Sequence, residues 1–115
     1  MSITGIGGVF FRAKDPAALA AWYERHLGIN GMAWTQQAGQ TVFAPFPADT
    51  DYFGRESQQF MLNFRVDDLD GMLARLKADK VKIVKDIEDQ AGVGRFAAVE
   101  DPEGNRIELW EPQDS

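Results

Sequence analysis

FMLNFRVDDLDGMLARL, Phe60 to Leu76, changes hydrophobic period halfway along, and that change sets the reading of the whole chain. Phe60 to Val66 is an apolar, aromatic and β-branched run of strand length. Asp67-Asp68 breaks it, and Leu69, Met72, Leu73 and Leu76 then fall on one stripe of 3.6 period, which predicts a helix. The same junction occurs earlier. Gly5 to Arg12 (GIGGVFFR) reads as a buried strand that stops at Lys14-Asp15-Pro16, and Phe11-Arg12-x-x-Asp15 returns 53 residues later as Phe64-Arg65-x-x-Asp68. The matching order of elements around both junctions points to an internal duplication.

Working outward, Asp15 suits an N-cap, Pro16 the first helical position and Gly28 the C-terminal stop of a first helix. Its stripe is Leu19, Trp22, Tyr23 and His26/Leu27. Met32 to Pro47 carries two strand-like pieces, MAWTQQ and QTVFAPF, around Ala38-Gly39, which predicts a hairpin. Pro47 to Gln59 is a polar loop, a candidate lid with a short edge strand near Tyr52-Phe53. Val81–Val84 and Gly94–Val99 read as strands, Asp101 to Asn105 as a turn, and Arg106–Trp110 as the last strand.

Composition narrows the function. The chain has 115 residues, a net charge of -6, 44% hydrophobic residues, no Cys and one His, His26. That is enough apolar material for a single core. Without Cys there is no disulfide scaffold, thiol nucleophile or Cys-based zinc site. An acidic chain with no basic block has the wrong field for a phosphate backbone, so no nucleic-acid partner is expected. MSITGIGG has neither a basic n-region nor an apolar h-region, and no apolar run reaches the ~20 residues of a membrane helix, so a cytoplasmic location off the membrane is expected. Ser57 lacks a nucleophile-elbow context, Gly5-x-Gly7-Gly8 lies inside a strand, and His26 sits on a helix as a packing residue.

The two junctions, the AWYERHLGI helix and the closing DPEGNRIELWEP together resemble the vicinal oxygen chelate superfamily, which groups glyoxalase I, bleomycin-resistance and extradiol-dioxygenase proteins. The resemblance implies an α+β fold in one domain over residues 1–115. Two βαβββ modules stand in tandem, about 1–58 and 59–115, with a curled mixed sheet enclosing a concave cavity and helices on its convex side. It also implies metal ligands on the first and last strands of a module. Those first-strand positions fall at Gly8 and Met61, where metal-binding members carry His. Glycine has no side chain and a thioether is a soft ligand, whereas the last-strand acid is kept as Glu108. No cofactor is expected; an all-oxygen magnesium or manganese site built on Glu108 is the alternative.

If Gly8, Met61 and Glu108 face the cavity, strand alternation adds Phe10, Arg12, Asn63, Arg65, Arg106 and Trp110 to that face. Val9, Phe11, Leu62, Phe64, Val66, Ile107 and Leu109 then pack under the helices. Apolar walls with a few polar groups are the composition of a small-ligand site, and arginines suit a carboxylate or an aromatic acid. The competing reading of each arginine is a solvated partner for surface acids. Two functions stay open, so whether the chain is an enzyme is not decided. One is metal-independent binding of a small anionic or aromatic ligand, as in the bleomycin-resistance branch. The other is a glyoxalase I-type lyase or isomerase with Glu108 as base or metal ligand. A purely structural role with a vestigial cavity is a third. Extradiol chemistry needs two histidines and is set aside. The resemblance further implies a homodimer.

Overall fold

A computed structural model describes residues 1–113. Helix α1 runs over Pro16–Leu27 and begins where expected, with the Asp15 carboxylate accepting from Ala18 N–H at 3.1 Å and Pro16 in the first turn. It ends at Gly28, whose φ of 70° is the left-handed C-cap. Strand β1 (Leu62–Arg65) leads into α2 (Leu69–Ala78), capped by Asp68 through Gly71 N–H at 3.0 Å. Strands β2 (Lys82–Gln90), β3 (Gly94–Glu100) and β4 (Arg106–Pro112) complete the sheet. Among the described residues no helix is long and apolar enough to cross a membrane.

The sheet is open and mixed, in the order β1-β4-β3-β2. β1 lies parallel to β4 with Asn63 opposite Glu108, and β3 lies antiparallel to β4 with Ala98 opposite the same Glu108. β2 pairs with β3 through two register shifts, one on each side of Lys85. Alternation then sorts the central strands. Ala97, Val99, Ile107 and Leu109 join Leu19 and Tyr23 of α1 and Leu69, Leu73 and Leu76 of α2 in one core. Ala98, Arg106, Glu108 and Trp110 occupy alternate positions, on the other face. β3 approaches β4 so closely at its start that a Cβ on Gly94 (φ 133°) would stand 2.2 Å from the Glu111 carbonyl oxygen.

Residues 62–112 thus form one βαβββ unit, whereas the first half contributes a helix alone. The expected strands at Gly5–Arg12, at MAWTQQ and QTVFAPF, and near Tyr52-Phe53 are not formed. The sheet therefore has four strands and does not close around a cavity. The physical reason is that a strand needs a neighbouring edge. Gly5, Gly7 and Gly8 offer few side chains to pack, and Pro45 and Pro47 interrupt the other candidate. Apolar residues of these segments consequently stay at the surface, Phe10 at 94% and Phe43 at 89% exposure.

The turn at 101–105 ties distant parts together. Asp101, 4% exposed, accepts from the Tyr23 hydroxyl at 2.7 Å, from Glu103 N–H at 2.8 Å and from Asn105 N–H at 3.0 Å, and its second oxygen also receives Asn105 Nδ2 at 2.8 Å. Glu103 accepts from the backbone N–H groups of Lys14 and Asp15 at 2.7 and 3.0 Å, fixing the approach to α1.

Candidate functional site

Glu108 stands in the second half of the sheet's most paired region, on β4 between β1 and β3, and only 8% of it is exposed. A carboxylate so placed requires donors. One comes from the neighbouring strand: Asn63, directly opposite in register, donates from Nδ2 to Oε1 at 2.6 Å. The other comes from the loop after Pro47, where the Tyr52 hydroxyl donates to Oε2. Burial, the hydrogen bond to Glu108 and the charges of Glu108 and Glu88 raise the Tyr52 phenol above its ordinary value, with Arg106 opposing. Tyr52 is therefore a neutral donor at physiological pH.

The loop is fastened chiefly by side chains. Arg55 donates to the Glu103 carbonyl at 2.8 Å and to Asn105 Oδ1 at 3.0 Å. Gln58 accepts from Arg106 N–H at 2.7 Å and donates to the Arg106 carbonyl at 2.9 Å, like an added rung beyond the end of β4. Arg106 Nη1 in turn donates to the Tyr52 carbonyl at 3.2 Å. The Tyr52 ring stacks on Phe46 at 5.7 Å between centroids, and Lys85 Nζ lies 5.4 Å from its centre, within cation–π range.

Between this loop and the sheet face lies a cavity of about 610 Å³, whose lining includes Asp51, Tyr52, Arg55, Met61, Lys85, Ala98, Glu100, Arg106 and Glu108. It carries both signs of charge against a thioether, an aromatic ring and a methyl group. That suits recognition of a small molecule with one apolar body and separate donor and acceptor groups.

The residues expected at the site divide. Met61, Arg106 and Glu108 line the cavity, and Asn63 touches it through Glu108. Trp110 stacks on Phe96 at 6.0 Å and donates from Nε1 to the Val93 carbonyl at 3.0 Å, and Arg65 turns away to the carbonyls of Gln37 and Gln40. Gly8, Phe10 and Arg12 lie on the N-terminal segment, outside the cavity lining, where the Phe10 ring packs on Gly8 itself. His26 is buried on α1 against Trp22, with Nδ1 3.4 Å from Asp79. Sequence reasoning missed Tyr52, Lys85 and Arg55. Extending the alternation of β2 past Val84 finds no periodic signal for Lys85, and the Tyr52-Phe53 pair inside a polar loop was the one visible hint of the others.

The metal that the family resemblance implies does not fit this donor set. Gly8 and Met61 supply no hard ligand, both Glu108 oxygens hold hydrogen-bond donors, and among the described residues no three His, Cys, Asp or Glu side chains converge. As a general base, Glu108 would act with one donor already on each oxygen, Asn63 on Oε1 and Tyr52 on Oε2.

Several solved structures share the fold. TnmS3, an antibiotic binding protein from Streptomyces sp. CB03234, is 25% identical, with 98% of this chain and 99% of that one covered at a TM-score of 0.66. TioX from Micromonospora sp. ML1 is 20% identical over 96% and 98% of the two chains, TM-score 0.62. A member of the glyoxalase/bleomycin resistance protein/dioxygenase superfamily from Sphaerobacter thermophilus DSM 20745 is 18% identical over 95% and 98%, TM-score 0.63. A search of curated proteins finds no match. Residues 31–109 match the family model itself, and the chain belongs to the Glyoxalase/Bleomycin resistance protein/Dioxygenase superfamily.

Proposed function

We propose that this chain binds a small aromatic or anionic molecule in the cavity under the 51–55 loop, without a metal, as a binding protein of the bleomycin-resistance type. The observation that carries the reading is the lining: Lys85 and Arg106 beside Met61 and the Tyr52 ring, around a Glu108 whose oxygens are held by organic donors. The likeness to TnmS3, itself described as an antibiotic binding protein, supports the same class. Gly8, Phe10, Arg12, Arg65 and Trp110 enter this proposal as residues of an enlarged site, completed when the first half takes up its own βαβββ form in a homodimer. The exposed Phe10, Phe43 and Phe60 support such an association. The second reading, a lyase or isomerase with Glu108 as base, is favoured by the seclusion of that carboxylate at the cavity floor.

Calorimetric titration of EDTA-dialysed protein with aromatic carboxylates such as 2-naphthoate tests the first reading. The affinity is expected to be the same before and after dialysis. An affinity abolished by EDTA and restored by a divalent ion overturns it, as does a panel in which nothing binds. Turnover of a hemithioacetal by the wild type, lost in Glu108→Gln, supports the second reading instead.

A further inference from the structure

We propose that the Tyr52 side chain is a tethered stand-in for the ligand, and that the Asn63–Glu108 pair it contacts is a subsite for a phenol. This rests on the reading of the cavity as a ligand site and specifies what its floor recognises. The two donors on Glu108 are not equivalent. Asn63 is fixed by strand pairing in register, whereas Tyr52 reaches the carboxylate from a loop without regular structure. The loop's side-chain anchors to the body of the protein at Arg55 and Gln58 lie on the C-terminal side of Tyr52, and Gly54, at a φ of 91°, stands between as the conformationally free residue. Swinging the ring out therefore breaks few contacts: the bond to Oε2, the stack on Phe46, the Lys85 contact and the bond from Arg106 to the Tyr52 carbonyl.

What replaces the ring must repair what it leaves. Glu108 is nearly buried, so losing a donor at Oε2 is costly unless the incoming group also donates. A carboxylate cannot do so and would set like charge beside Glu108. A phenol meets every condition: a neutral O–H for Oε2, a flat face for Phe46 and a π-cloud for the Lys85 ammonium. Any anionic part of the same ligand belongs further out, toward Arg106 and Lys85. Arg106 and Lys85 are the cations of the cavity lining on that side.

The probe is p-cresol, the tyrosine side chain cut free at Cβ, with toluene as the control that lacks only the hydroxyl. Binding to wild type, Tyr52→Ala and Tyr52→Phe is measured by titration calorimetry, with circular dichroism as the check of folding. Tyr52→Ala is expected to bind p-cresol at least tenfold more tightly than wild type with no comparable gain for toluene. Glu108→Ala in the same background is expected to remove the gain. Tyr52→Phe, which keeps the ring but not the hydroxyl, is expected between wild type and Tyr52→Ala, and decides the matter alone if the alanine variant does not fold. Equal p-cresol affinity in wild type and variant, or an equal gain for toluene, overturns the subsite. Aromatic carboxylates that bind while p-cresol gains nothing refute the phenol subsite and leave the general function standing. The reverse pattern keeps the subsite and removes aromatic carboxylates from the general function.

Discussion

Replacing Tyr23 with phenylalanine removes one hydroxyl and leaves the ring contacts with Phe11, Trp22 and Phe64 in place, because the aromatic shape is unchanged. The lost O–H is a donor to Asp101, a carboxylate 4% exposed that keeps three other donors. A hydrogen bond to a charged group contributes about 1.5–3 kcal/mol, and the surviving donors put this one near the lower end. The pH dependence is more diagnostic. Burial, then the hydrogen bond and charge of Asp101, raise the Tyr23 phenol well above its ordinary value. A phenol raised in the folded state contributes stability that is complete below the unfolded pKa, near 10, and is lost as pH rises above it, because the unfolded chain ionises first. By pH 11 the loss from this group reaches at most about 1.4 kcal/mol. Tyr23→Phe has no such term, so urea midpoints of the two proteins, followed by circular dichroism, should differ at pH 8 and converge by pH 11. A difference that does not change with pH, or a variant as stable as wild type at pH 8, refutes this account of the Tyr23–Asp101 bond.

Gly94→Ala places a methyl group 2.2 Å from the Glu111 carbonyl at a φ that disfavours side chains, and is expected to cost on the order of 3 kcal/mol or more, read as a collapse of the thermal midpoint. Leu109→Ala opens a cavity at a fully buried position of the central strand and should cost about 2–5 kcal/mol in urea unfolding. Glu103→Ala frees the N–H groups of Lys14 and Asp15, which water can reach, so a loss of about 1 kcal/mol is expected together with faster amide exchange at those two residues.

The second half of the chain was legible because its signals are local. α2 begins directly after the expected break at Asp67-Asp68, and the alternation through Arg106, Ile107, Glu108 and Leu109 put the carboxylate and the core on opposite faces. β2 runs on from Val84 to Gln90 without an apolar period, since Lys85, Asp86, Glu88 and Asp89 lie on an edge strand where charge is tolerated and pairing with β3 decides the length. The first half was legible only in its helix. Its strands were inferred from residues that favour extended backbone, and such preference acts only when another strand stands alongside. The site followed the same division. Glu108, Asn63 and Arg106 sit on or beside β1 and β4, whereas Tyr52 and Arg55 reach the cavity through a loop fastened to the turn at 101–105, a partnership that no local pattern encodes.

That turn also sets an order of events. A chain emerging from the ribosome exposes α1 long before residues 101–105 exist, yet the entry to α1, the Tyr23 hydroxyl and the Arg55 guanidinium all find their partners there. Until those five residues arrive, α1 can pack on α2 but lacks its fixed entry and its Tyr23 acceptor, and the loop that carries Tyr52 lacks its Arg55 anchor. The binding site is thus completed late, because Arg106 and Glu108, on which the loop and the cavity floor converge, follow that turn in the chain.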